Sequence, residues 1–342
     1  MKLEHLIELA VFFGKFLIVG AFLLVLVASV MAIAAKNKHR PELEIQNINE
    51  KLDELESSIS ELVLSKDENK LRIKKLKKDE KAKSPDDAPK KSVFVLTFKG
   101  DIEASQVDVL SDQVTAILLV AKSGDSVVIK VESPGGTVHG YGLAAAQLLR
   151  LKASGLHLIT SVDKIAASGG YMMASMGHKV VSAPFAIIGS IGVLAQVPNL
   201  HRFLKSHDVD YEEFTSGEYK KTVSFLGEMT EKGKEKFRQQ LVDTHVLFKQ
   251  FVSAERPQVD MAKVATGEYW FGKQALELML VDEIKTSEDV LLSFRNTHKI
   301  FELKTEGKKK FAEKIADIFG LAFTSYQKQL RQKSIKTPDI FV

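Results

Sequence analysis

The chain has 342 residues, 45% of them hydrophobic, no cysteine and a formal net charge of +4. This apolar content supports a full globular core with segments left outside it. The missing cysteines exclude a disulfide framework and thiol chemistry. The small positive charge, its lysines clustered at 74–83 and near the C-terminus, gives no argument for a nucleic-acid partner.

Residues 1–15 form a short amphiphilic segment. Residues 16–35 are uncharged over a length that can cross a bilayer as a helix, and are predicted to be a single-pass membrane anchor. Ala32-Ile-Ala34 resembles a small-residue cleavage site, but the region before it is long and itself apolar for a signal peptide. Lys36, Lys38 and Arg40 follow the span; Lys2 and Lys15 precede it, offset by Glu4 and Glu8. The positive-inside rule therefore tilts toward a cytoplasmic catalytic domain.

In 42–80, Ile45, Ile48, Leu52, Leu55, Ile59 and Leu62 recur at steps of three and four, and the register continues through Lys66 and Asn69 to Ile73 and Leu76. This heptad seam predicts a coiled-coil-like stalk of about 50 Å that joins protomers and holds the body off the bilayer, with Asn69 fixing register. An amphipathic helix lying on the protein's own surface is the other reading. Residues 81–91, with Pro85 and Pro89, read as a solvated linker.

Over 92–300, predicted strands (93–98, 127–132, 157–162) alternate with predicted helices (105–121, 141–151), which argues for βαβ units and a mainly parallel sheet. The strand ending at Ser133 runs into Pro134-Gly135-Gly136, either an ordinary turn or a loop that aims backbone N–H groups at a developing oxyanion. In Asp163-Lys-Ile-Ala-Ala-Ser168-Gly-Gly-Tyr171, Ser168 sits between an apolar run and a glycine pair that opens a helical segment. It is a candidate nucleophile at a strand-to-helix turn, or a helix N-cap. Phe185 to Leu194 is too short and glycine-rich for a second span and reads as a buried segment beside that turn. Lys220 and Lys221 lie in a short polar segment between an expected strand and a long helix. A lysine can act as a general base when burial disfavours its ammonium form, and is otherwise a solvated charge. Residues 230–253 are predicted to be one helix that packs in the core or between subunits through Phe237, Leu241, Val242, His245, Phe248 and Phe251. The tail, 301–342, contains an amphipathic pattern from Lys308 to Lys333 that is expected to pack on the body.

Together these segments resemble the signal peptide peptidase (protease IV) family of serine-lysine peptidases, most closely its short bacterial SohB-type members. The matching stretches, in order, are Phe98-Lys-Gly-Asp-Ile102, Glu132-Ser-Pro-Gly-Gly136, Asp163 to Tyr171, Gly189-Ser-Ile-Gly-Val193, Ser216-Gly-Glu-Tyr-Lys220, Ala265 to Gly272, and Leu280-Val-Asp-Glu283. The resemblance implies a ClpP/crotonase-like α/β spiral and a serine endopeptidase of the bacterial inner membrane that clears signal peptides or membrane-protein fragments. Carried over, it makes Ser168 the nucleophile, Lys220 its base, Ser190 the residue that orients the lysine, and Gly135 the oxyanion-hole glycine with Gly136 beside it. Lys221 is the weaker candidate for the base.

No metal or cofactor is required, and no His-Glu-x-x-His occurs. The resemblance gives His139 no catalytic role. It is read as a groove or helix-start residue, and His178 and His201 as structural or surface residues. Related enzymes form rings with the dyad at protomer boundaries, so a homo-oligomer is expected, in which Ser168 of one chain can meet Lys220 of the next. Family members often place the site outside the membrane, opposite to the charge argument, which leaves the side open. The competing class is a catalytically silent membrane scaffold, or an acyl-CoA enzyme on the same fold.

Overall fold

The computed structural model describes residues 12–15, 17, 20, 22, 43–82 and 90–305. The chain divides into two units, one of residues 44–304 and another of residues 1–43 with 305–342. Most of the predicted span at 16–35, the linker at 83–89 and the tail beyond Thr305 lie outside the described residues. Among the described residues no helix is long and apolar enough to cross a membrane.

The described chain from Leu43 opens with β1 (Leu43–Asn47), α1 (Ile48–Val63) and α2 (Lys66–Ala82). The heptad pattern runs through 64–65, but the helix does not. Ser65 donates its N–H and hydroxyl to Glu68 (2.9 and 2.7 Å), and the Glu68 N–H returns to Ser65 Oγ, a capping box that starts a new helix. Arg72 reaches back to Glu56 at 2.9 Å, so the two helices form a hairpin rather than one continuous 50 Å rod. The first turn of α1 belongs to the body: Ile48 is buried with Val93, Val128 and Ile300, and Leu52 packs on that cluster. Asn49 bonds three backbone groups of the body, donating to the Arg295 and His298 carbonyls and accepting from the Ile300 N–H. Leu55, Ile59 and Leu62 further along the seam are exposed.

The alternation expected over 92–300 is present as β2 (Ser92–Lys99), α3 (Val107–Val120), β3 (Ser126–Glu132), α4 (Val138–Ala153), β4 (His157–Val162), β5 (Ile165–Ala167), α5 (Gly169–Ala174), β6 (Lys179–Ser182) and β7 (Ile187–Gly189). Then come α6 (His201–Ser206), α7 (Glu231–Glu255), α8 (Met261–Val264), β8 (Tyr269–Phe271), α9 (Gly272–Glu277), β9 (Glu283–Ile284), α10 (Ser287–Phe294) and β10 (Lys299–Thr305). Seven strands make one sheet in the order β1-β10-β2-β3-β4-β6-β9, parallel from β10 to β9. Val93 to Leu96 and Val127 to Ile129 are buried as unbroken apolar runs, as central parallel strands covered on both faces require. Because β10 pairs with β2 and continues to Thr305, residues 301–305 of the expected tail are strand.

A second sheet, β5-β7-β8, branches where β3 ends: Ser133 bridges Ala166, and β5 runs parallel to β7. α7 confirms the long helix expected at 230–253, with Thr230 Oγ1 capping it by accepting from the Gly233 N–H. Its far end is anchored by Arg256, which is 2% exposed, bonds Asp282 through both terminal nitrogens (2.7 and 2.8 Å) and also reaches the Met279 carbonyl. Asp282 in turn accepts from the Val180 N–H of β6. Removing one partner of such a pair leaves a charge with little compensation. Arg256→Ala is therefore expected to lower the unfolding free energy by about 3 kcal/mol, the low end of the range because Asp282 is 31% exposed. Urea denaturation followed by far-UV circular dichroism checks this.

Candidate active site

Register decides what stands at the rim of the second sheet. Ala167 of β5 pairs with Gly189 of β7, so the next residues, Ser168 and Ser190, leave the two strands side by side. Both have φ of +52°, a region that costs a non-glycine residue about 1–3 kcal/mol. The Ser168 N–H donates to the Gly189 carbonyl (2.8 Å), while the Ser168 carbonyl accepts from Met172 in the first turn of α5. Ser168 thus occupies a tight turn from strand to helix, partly exposed. That geometry lifts a serine hydroxyl out of the backbone.

The glycines expected beside it are there. Gly135 has φ of +92°, and a Cβ on it would fall 2.7 Å from the Ser168 Cβ, so only glycine lets the two segments touch. A Cβ on Gly136 would strike the Ile102 carbonyl at 2.0 Å, and the Thr137 N–H donates to that same carbonyl. The loop holding Asp101 and Ile102 therefore cradles the Pro134–Gly136 loop. The Gly135 N–H donates to Ser133 Oγ (3.0 Å). Among the described residues the N–H groups of Gly136 and Gly169 have no protein acceptor, and both residues line the same cavity as Ser168. Gly169 was missed in the sequence reading, although a glycine directly after a candidate nucleophile is the signal that points to it.

That cavity has a volume of about 450 Å³. Val138, Tyr141, Met172, Val193, Leu194, Leu247, Phe248 and Phe251 supply its walls, and among the described residues no acidic or basic side chain does. α7 contributes one side, which gives the apolar face of that helix a place in the site. In 185–194, Ala186, Ile188 and Ile191 are buried as expected, while Phe185 and Leu194 are exposed. His139 is exposed and does not line the cavity. Ser190 Oγ donates to the Gly267 carbonyl at 3.3 Å.

Lys220 lies elsewhere. It stands on an irregular segment between α6 and α7 rather than after a strand, it is exposed, and it does not line the Ser168 cavity. Its neighbours are all tied down. Glu218 pairs with Lys232 (2.6 Å), and the Tyr219 ring carries the ammonium groups of Lys232 and Lys236 at 5.8 and 5.2 Å. Lys221 bonds Glu213 at 2.6 Å, a carboxylate that Tyr211 also donates to, and this pairing pushes the Lys221 ammonium above its ordinary range. Among the described residues the Lys220 ammonium has no hydrogen-bond or ion-pair partner. A lysine held as an ion pair is a poor proton acceptor, which favours Lys220 over Lys221 as a base.

Two aspartates of the matched stretches have structural partners. Asp163 accepts from the Ser287 N–H and hydroxyl (2.8 and 2.5 Å), fixing α10 to the end of β4, and Asp282 holds Arg256. Among the described residues no group of three or more His, Cys, Asp or Glu side chains is arranged to hold a metal ion.

Residues 150–300 match the sequence profile of Peptidase family S49, and residues 4–148 match Peptidase family S49 N-terminal. The chain is 48% identical over 317 residues to a protein of Haemophilus influenzae named "Probable protease SohB", covering 89% of this chain and 90% of that one. A protein of the same name from Buchnera aphidicola subsp. Schlechtendalia chinensis is 41% identical over 304 residues, 85% of this chain and the whole of the relative. "Protease 4" of Haemophilus influenzae is 27% identical over 202 residues, 56% of this chain and 32% of its own length.

Proposed function

The chain belongs to peptidase family S49, and on that premise we propose that it is a membrane-anchored serine endopeptidase whose Ser168 attacks the peptide bond and whose Lys220 is the base, supplied by a neighbouring copy. One observation carries this reading. Ser168 stands at a strained turn over an apolar cavity that, among the described residues, no basic side chain lines, while Lys220 does not line that cavity and its ammonium has no partner among the described residues although the adjacent Glu218, Tyr219 and Lys221 are engaged.

In this scheme the neighbour encloses the Lys220 ammonium, which disfavours its charged form and readies the amine to take the Ser168 proton. The Ser168 oxygen attacks the peptide carbonyl. The oxygen that becomes negative is held by the N–H groups of Gly136 and Gly169, because the Gly135 N–H that the family resemblance assigns to this task is taken by Ser133 Oγ. The leaving amine takes the proton from Lys220, and water hydrolyses the acyl-enzyme by the reverse sequence. Ser190, one strand away from Ser168, would orient the incoming amine.

The apolar lining supports substrates that are extended and apolar, such as signal peptides or fragments of membrane proteins. The exposure of Leu194, Phe203, Phe214 and Phe225, all in the stretch between β7 and α7, supports burial of this segment against a second copy in a homo-oligomer. The parallel order of the main sheet and the short sheet branching from it fit the ClpP/crotonase-like spiral. The uncharged run at 16–35 supports a membrane anchor, and the family resemblance supports a bacterial inner membrane.

The test incubates the full chain in detergent with an apolar peptide of about 20 residues, the length of a membrane span, and reads products by mass spectrometry. Internal cleavage is expected. An intact peptide after prolonged incubation with assembled protein would sink the reading and favour the scaffold alternative.

A further inference from the structure

Resting on the peptidase reading, we propose that Ser133 and Tyr141 are positioning residues for this hydrolysis: a relay of their two hydroxyls fixes the peptide plane of Gly135 and, with it, the N–H groups offered to the oxyanion. Both side chains are fully buried. The Tyr141 hydroxyl lies 2.7 Å from the Asp101 carbonyl, which can only accept, so the phenol proton is committed there. The Ser133 hydroxyl bonds Tyr141 Oη and must donate in that bond. Its remaining lone pairs then face the Gly135 N–H, 3.0 Å away. Every proton in the chain Gly135 N–H, Ser133 Oγ–H, Tyr141 Oη–H, Asp101 carbonyl has one direction, and burial pushes the Tyr141 phenol up, which keeps its proton in place.

The relay is clamped on both sides. A Cβ on Gly100 would collide with Tyr141 Oη at 2.2 Å and Ser133 Oγ at 2.6 Å, while one on Gly169 would meet the Tyr141 ring at 2.4 Å. The Phe98 ring holds the phenol edge-on at 6.1 Å. The ring of Tyr141 therefore touches the residue after Ser168, while its hydroxyl controls the loop opposite. One side chain sets the spacing between the nucleophile turn and the oxyanion loop. This also gives the Phe98-Lys-Gly-Asp-Ile102 stretch a physical purpose, since it supplies the terminal acceptor and the cradle.

The test measures kcat and KM for a fluorogenic apolar peptide, and Ki for the aldehyde of the same peptide, in the parent, Ser133→Ala and Tyr141→Phe. The aldehyde forms a tetrahedral adduct on a serine nucleophile, so its Ki includes the stabilisation that the oxyanion site gives, while KM reads the peptide binding that both share. Both variants are expected to lower kcat by roughly 10- to 100-fold, with KM within about 2-fold and the aldehyde Ki weakened by the same factor as kcat. Tyr141→Phe keeps the ring and its packing, so it carries the test if Ser133→Ala does not fold. A parent that cleaves and binds the aldehyde, with both variants unchanged in kcat and Ki, overturns the relay alone. A kcat loss without a change in Ki also overturns it. A parent that does neither overturns the peptidase reading and the relay with it.

Discussion

Ser168→Ala is expected to lower peptide hydrolysis by at least about 10³-fold while leaving the protein folded and assembled. The size follows from the role: without the hydroxyl no acyl-enzyme forms, and only binding and the oxyanion loop remain to assist attack by water. The fold should tolerate the change. Ser168 contributes a backbone N–H to Gly189 and a carbonyl to Met172, both of which alanine keeps, and its side chain makes no hydrogen bond that holds the turn. The positive φ is a strain that serine and alanine share. Initial rates on an apolar peptide, with sedimentation to verify assembly, check both halves. A variant that cleaves as fast as the parent moves the nucleophile elsewhere and brings the acyl-CoA and scaffold readings forward.

The second large effect separates two adjacent lysines. Lys220→Ala is expected to lower kcat by about 10³-fold or more, comparable to loss of the serine, because nucleophile and base act as a unit. Lys221→Ala removes the ion pair with Glu213 from an exposed surface, where water screens such pairs and leaves them little weight. Its activity is expected within about 5-fold of the parent. Equal losses in the two variants would show that the segment matters as a scaffold and not through one amine.

Much of this site was legible in the sequence because its parts are local. A glycine pair after a strand and a serine before another glycine pair announce turns where backbones approach, and the structure brings Gly135 against Ser168. The parallel sheet was legible for a similar reason: Val93 to Leu96 and Val127 to Ile129 have the unbroken apolar runs of strands covered on both faces. The relay was not legible. Asp101, Ser133 and Tyr141 meet only once β2, β3 and α4 are packed, and nothing in the spacing of a serine and a tyrosine reveals a shared proton chain. Heptad counting overreached at 64–65 because hydrophobic period is blind to capping. The signal that mattered there was polar, the Ser65 and Glu68 pair three residues apart. Lys220 was singled out by motif, but that it does not line the Ser168 cavity of its own chain follows from an irregular segment that periodicity does not describe.

The claim that Ser168 and Lys220 come from different copies is tested most directly by complementation. Ser168→Ala and Lys220→Ala chains, each inactive alone, are co-expressed in equal amounts so that they assemble together, and hydrolysis of the apolar peptide is measured. In a ring of head-to-tail contacts filled at random, roughly a quarter of the sites join an intact serine to an intact lysine. Recovery to about that fraction of the parent rate is the expected result. Mixed assemblies that stay as inactive as either variant alone would contradict it and return the dyad, if there is one, to a single chain.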